Sequence, residues 1–147
     1  MPILYAKRGD NGIMYYAREG DFETHENTIS VIYNGVVAAG LVYAQKSPTG
    51  VLAESYLLKL ENHPQDHKVN MFLASSMLKV LYPKYSREFL ATWAGKVEND
   101  EIFLPAIDDK PDYTFMQTFI SAIQKIVIAD VVAYTNAKIE ATKQIVK

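Results

Sequence analysis

Between Glu61 and His67 the chain places Glu61, His63, Asp66 and His67 together, and no other stretch offers as much metal-ligand chemistry. His63 and His67 are four residues apart, the spacing that sets two imidazoles on one helix face. Pro64 stands between them and favours a loop, so these residues read as a solvated acidic loop and no metal is expected. Asp108, Asp109 and Asp112 offer a carboxylate trio, yet a polar turn followed by a helix N-cap needs the same side chains. The sequence contains no phosphate-binding loop and no nucleophile elbow. It also contains no cysteine, which excludes disulfides, thiolate metal sites and cysteine nucleophiles. The chain is therefore expected to be non-catalytic by itself.

The elements that would position polar loops are β in the first part of the chain. Runs rich in Ile, Val, Tyr and Thr predict strands near 3–6, 13–17, 27–33, 36–44 and 56–60. Asn34-Gly35 predicts a type I′ hairpin that pairs Thr28–Tyr33 with Val36–Tyr43, because that turn needs positive φ at both central residues. The period then becomes helical, with Val69, Phe72, Leu73, Ser76, Met77, Val80 and Leu81 on one stripe up to Pro83. A short strand, Ile102-Phe103-Leu104, is expected to stop at Pro105, and Asp112 to cap a helix. From there no Pro or Gly interrupts the chain, which predicts a helix of up to about 35 residues, roughly 50 Å long. Its stripe of Met116, Ile120, Ile123, Val127, Val131 and Tyr134 is too long for a domain of this size to cover.

These elements predict an α+β fold: a twisted, mostly antiparallel sheet with a packed helix in residues 1–111, followed by a long C-terminal helix over 112–147. A length of 147 residues and a mean hydropathy near zero fit one soluble domain with an appended helix. The apolar window Ile126–Tyr134 is interrupted by Asp130 and is far below the roughly 20 residues that span a bilayer, so no membrane partner is expected and the cytoplasm is the expected location. A formal net charge of -2 argues against a free-standing, nonspecific nucleic-acid binder, since such affinity comes from many Lys and Arg releasing counterions.

Several segments, in order, resemble one family. They are Tyr5 to Arg8 with Asn11-Gly12; the cassette GDFETHENTISVIYNGVVAAGLVYAQ from Gly20 to Gln45; the helix Met71–Leu81; Tyr85-Ser86-Arg87; and Leu104-Pro105 leading to Pro111-Asp112-Tyr113. The set resembles the DNA target-recognition domain of type I restriction-modification specificity subunits and of related fused restriction-methylation enzymes. No single motif is diagnostic; their order carries the likeness. The resemblance implies double-stranded DNA as partner, with a half-site read from loops on one face of the sheet. Base edges are read by paired donors and acceptors, such as Arg to guanine and Asn to adenine. The matching loops hold Lys7, Arg8 and Asn11; Arg18, Thr24 and His25; Lys46, Ser47 and Thr49; and Lys84, Ser86 and Arg87.

The resemblance also implies that chemistry comes from partners: a DNA methyltransferase, which would hold S-adenosylmethionine, and restriction subunits. No cofactor is expected in this chain. The long helix would serve as a docking rod for the methyltransferase or pair two copies around a twofold axis. Two rival readings differ in class: an interaction adaptor that works through the helix stripe, and a small metalloenzyme using Glu61, His63 and His67.

Overall fold

Thr28–Ile32 is buried at every residue, so this strand must be covered on both faces. The computed structural model describes residues 1–146. The chain runs through β1 (Pro2–Leu4), β2 (Ile13–Tyr16), β3 (Thr28–Ile32), β4 (Val42–Gln45), β5 (Gly50–Val51), β6 (Ser55–Leu58), α1 (His67–Lys84), β7 (Ala106–Ile107), β8 (Lys110–Pro111) and α2 (Tyr113–Val146). β3 is the middle of an antiparallel sheet ordered β4-β3-β6. A second sheet, β2-β1-β5, pairs β1 antiparallel with β2 and parallel with β5. The fold is α+β and mostly antiparallel, with one packed helix and one long C-terminal helix. The strands are divided among separate sheets rather than joined in one.

Ile29 and Val31 alternate onto the face that meets α1, where they join Val69, Leu73, Ala74 and Leu81 in the main core. Ile32 packs in a smaller cluster with Ala38 and Leu41, against Ala6 and Tyr43. Asp66 caps α1 by accepting the Val69 N–H at 2.9 Å. The helix continues through Pro83 to Lys84, one residue past the expected stop. Only the bond to the Lys79 carbonyl is lost there, in the last turn, and Lys79 is exposed.

β3 pairs antiparallel with the strand that follows it, but with Val42–Gln45 in place of the expected Val36–Tyr43 and not through a turn at Asn34-Gly35. The register sets Val31 opposite Val42, and residues 33–41 form a wide loop. Tyr33 uses its backbone elsewhere, donating to the Glu54 carbonyl and accepting from the Ala91 N–H, both at 3.0 Å. Gly35 is nearly extended at φ 159, and a Cβ there would stand 3.3 Å from that of Ala6. The chain reverses at Gly40 (φ 84), whose N–H reaches the Ile32 carbonyl at 2.8 Å. Any side chain at this position would collide with the Leu81 carbonyl, since a Cβ would lie 2.7 Å from it.

Paired left-handed residues occur instead at Asp108 (φ 51) and Asp109 (φ 61), joining β7 to β8. The acidic trio is thus a turn followed by a cap: the Asp112 carboxylate accepts the Phe115 N–H at 3.0 Å. Ile102–Leu104 is not a strand. Its alternation is real, with Ile102 and Leu104 packed on the core and Phe103 98% exposed, but no strand pairs with it.

Candidate nucleic-acid interface

At the Thr28 end of β3, three loops from separate parts of the chain are tied together by backbone bonds. His25 and Thr49 exchange N–H···O bonds of 3.1 and 3.0 Å, and the Asn27 N–H donates to the Lys46 carbonyl at 3.1 Å. Asn11 donates to the Ala44 carbonyl and to Gln45 Oε1, both at 2.9 Å, while Gln45 Nε2 returns a bond to the Asn11 carbonyl at 2.8 Å and another to Ser30 Oγ at 3.0 Å. Gln45 is 2% exposed, so a buried amide with its bonds satisfied fixes the Lys46–Thr49 loop to the loop carrying Arg8. Arg18 is not tied to this cluster: it follows the Met1–Ala17 pairing that extends β1 and β2, at the opposite end of that hairpin from the loop carrying Arg8 and Asn11.

Within this cluster the side chains divide into those already used and those left open. Lys7 pairs with Asp10 at 2.5 Å, and its ammonium, by hydrogen bonding first and charge second, holds the Asp10 carboxyl below the usual range. Asn11 belongs to the amide network. Thr49 is 1% exposed and donates to the Ser47 carbonyl at 2.8 Å. His25 Nε2 lies 3.3 Å from the Glu23 carboxylate. Among the described residues Arg8, Arg18, Lys46 and Ser47 are exposed and make no side-chain bond within the chain, and half-buried Thr24 makes none either. Glu19, Asp21, Glu23 and Glu26, all exposed, lie in the segment between Arg18 and Asn27.

Lys84, Ser86 and Arg87 are not brought to this cluster. They follow the C-terminus of α1, whose N-terminus lies at the Thr28 end through the Asn70 Nδ2 bond to the Asn27 carbonyl, 2.9 Å. Eighteen helical residues put the two groups about 27 Å apart. Lys84 is bound to Asp100, whose carboxylate is largely buried and also accepts from the Tyr85 hydroxyl at 2.5 Å. Hydrogen bonding to Asp100 raises the Lys84 pKa, and burial first, then Asp100, raises that of Tyr85. Ser86 Oγ accepts the Phe89 N–H at 3.2 Å, and Arg87 is exposed without a partner among the described residues.

The residues that organise both ends, Gln45 and Asp100, carry no signal in the sequence, since only their distant partners reveal their role. The Glu61–His67 stretch does not close on an ion: among the described residues no three His, Cys, Asp or Glu converge. His63 packs its ring 3.9 Å from that of Tyr113. His67 opens α1, where burial first and Lys46 second hold its pKa below the ordinary histidine value. His67 and Lys46 border a groove of about 850 Å³ between the loops and the helices, with Tyr16, Met71, Ile120 and Ile123 in its walls.

The stripe expected along α2 is split. Met116 and Ile120 are buried in the chain's own domain, whereas Ile123, Val127, Val131 and Tyr134 are exposed, as is every residue from Lys125 to Val146. Lys147 lies outside the described residues. Taken whole, α2 is long and apolar enough to cross a membrane by length and composition, which the shorter window Ile126–Tyr134 had hidden. Lys125 and Asp130 lie within that apolar length. No family model, curated protein or solved structure matches this chain.

Proposed function

We propose that this chain supplies DNA sequence recognition to a restriction-modification or stand-alone methyltransferase complex, and that it has no catalytic role itself. The observation that carries the reading is the gathering of Arg8, Lys46 and Ser47, all exposed, on loops that buried Gln45 and the His25–Thr49 pairing hold together, with Arg18 exposed at the other end of the β1–β2 hairpin. Exposed donors on a rigid base are what reading base edges requires. The ordered resemblance to target-recognition domains supports the same reading. Lys7, Asn11, Thr24, His25 and Thr49 shape or border this surface, and Arg87 lies at the far end with Lys84 and Ser86. The acidic residues of the same loops leave phosphate neutralisation to a partner methyltransferase, which brings S-adenosylmethionine, so binding by the isolated chain is weak and salt-sensitive.

The test is methylome sequencing of a host with and without the chain, together with selection from random duplexes in the presence of the partner. A methylated motif that disappears on deletion, and a motif enriched in selection, are expected. An unchanged methylome with no enriched motif removes the reading. A second reading, an interaction adaptor, is favoured by the exposed apolar half of α2 and predicts assembly that is independent of DNA.

A further inference from the structure

The groove between the loop cluster and the helices is apolar along most of its length and carries charge of one sign at one end. It holds about 850 Å³, a size at which small organic ligands are bound. One wall follows α1 from His67 through Met71 and Ala74 to Leu78, about 17 Å at 1.5 Å per residue, and Ile120 and Ile123 of α2 add to it. Met71 is half-buried and Ile123 is 41% exposed, so part of this apolar wall still meets water. β4 lines the groove from Val42 to Gln45, and its pairing with β3 brings Gln45 and Lys46 to the Thr28 end, where α1 begins.

At that end the lining becomes polar. Lys46 and Ser47 are exposed and unbonded, and His67 encloses an Nδ1 that has no hydrogen-bond partner. Gln45 beneath them has its bonds satisfied and asks nothing of an occupant. No Asp or Glu among the described residues lines the groove, although the chain holds 17 acidic residues against 15 basic ones. Asp66, beside His67 in the sequence, is committed to the Val69 N–H. Val42 and Gln45 are 4% and 2% exposed, which leaves the β4 edge without the open backbone that an added peptide strand needs.

We infer that the groove binds a medium-chain aliphatic carboxylic acid, with its carboxylate between Lys46 and His67 and its chain along Met71, Ile120 and Leu78. The Lys46 ammonium and the Ser47 hydroxyl donate to the carboxylate, and His67 in its Nδ1–H tautomer meets there the acceptor it lacks within the chain. A cation is disfavoured beside Lys46, and a ligand without an apolar chain leaves the wall wet. A chain that fails every DNA test could still hold the acid, so the two are tested apart.

Calorimetry on the full chain with decanoate, octanoate, hexanoate and octanol is the experiment. Decanoate is expected to bind saturably at one site, and each methylene removed should weaken binding about fourfold. Octanol, which lacks the charge, should bind roughly five- to tenfold more weakly than octanoate. Lys46→Glu is expected to weaken octanoate roughly two- to thirtyfold and leave octanol unchanged. Ser75→Trp, at an exposed position in the α1 wall, should block both ligands, whereas Lys138→Gln on distal α2 should alter neither. In NMR, decanoate should move the His67 titration upward, since a carboxylate beside the ring favours its charged form. Absence of a saturable decanoate site overturns the proposal. So do octanol binding as tight as that of octanoate, a Lys46→Glu chain that holds octanoate unchanged, a Ser75→Trp chain that still binds, or a His67 titration that decanoate does not move.

Discussion

Met116 and Ile120, in the first half of α2, are 0% and 8% exposed; Val127 and Val131, further along the same apolar stripe, are 54% and 59% exposed. One continuous pattern in the sequence thus serves two ends. Its first turns complete the core of this chain, joining Val69, Leu73 and Ala74 of α1, and the remainder is left for something outside it. The spacing of apolar residues fixes which side of a helix must be covered. It does not say what covers it, and that depends on how far the domain reaches along the helix.

The largest expected effect tests that division. Met116→Ala should lower stability by about 2 to 5 kcal/mol, since it empties a fully enclosed site, while Val131→Ala in dilute protein should stay within about 0.5 kcal/mol. Urea unfolding followed by circular dichroism measures both. Equal losses would mean that the distal half of α2 is as much a part of this core as the proximal half.

The same contrast between committed and open groups exists among the polar residues after α1. Asp100→Asn removes the charged acceptor of the Tyr85 hydroxyl and of Lys84, and should lower stability by about 1 to 3 kcal/mol. Arg87→Ala, two residues from Tyr85 but exposed and unbonded, should change it by less than about 0.5 kcal/mol. A large loss at Arg87 would show that the far end is not divided as its hydrogen bonds suggest.

How much of this was legible in the sequence follows from the range of the interaction involved. Local chemistry was readable: Asp112 caps α2, Asp108-Asp109 turns, and α1 and the uninterrupted α2 lie where their periods place them. The hairpin at Asn34-Gly35 was not, because the Tyr33 backbone is bonded to Glu54 and Ala91, residues the local signal does not contain. β5 escaped notice for the same reason; two residues, Gly50 and Val51, form a strand only because β1 lies beside them. In the candidate site, residue type alone gathered Lys46 with Lys84. Placement separates them by the length of α1, and one ends on Asp100 while the other stays open.

Open charges should affect binding and leave folding alone. Arg18→Ala and Lys46→Ala are expected to leave the urea midpoint unchanged; under the proposed DNA-recognition reading, with a methyltransferase partner present, each should reduce the salt dependence of binding by about one ion-release unit where the residue meets phosphate. A residue that reads a base would instead relax the preferred motif at one position. Loss of stability in either variant would move that residue from the open class to the committed one.

The smallest effect concerns His67, the point where the helix layer touches the loop cluster. Burial and the nearby Lys46 charge disfavour its protonated form in the fold, with Asp66 opposing them. Its folded pKa therefore lies below the unfolded value near 6.5, and the unfolded chain binds the proton more readily. The contribution to stability is complete above that value and is lost as the pH falls through the folded pKa, so stability should slope upward with pH across this window and His67→Gln should flatten the slope. Lys46→Gln removes one of the two disfavouring influences and should move the His67 titration upward in an NMR experiment. An unmoved His67 resonance would mean that Lys46 does not sit over the start of α1, and the three loops would then not be gathered at one end.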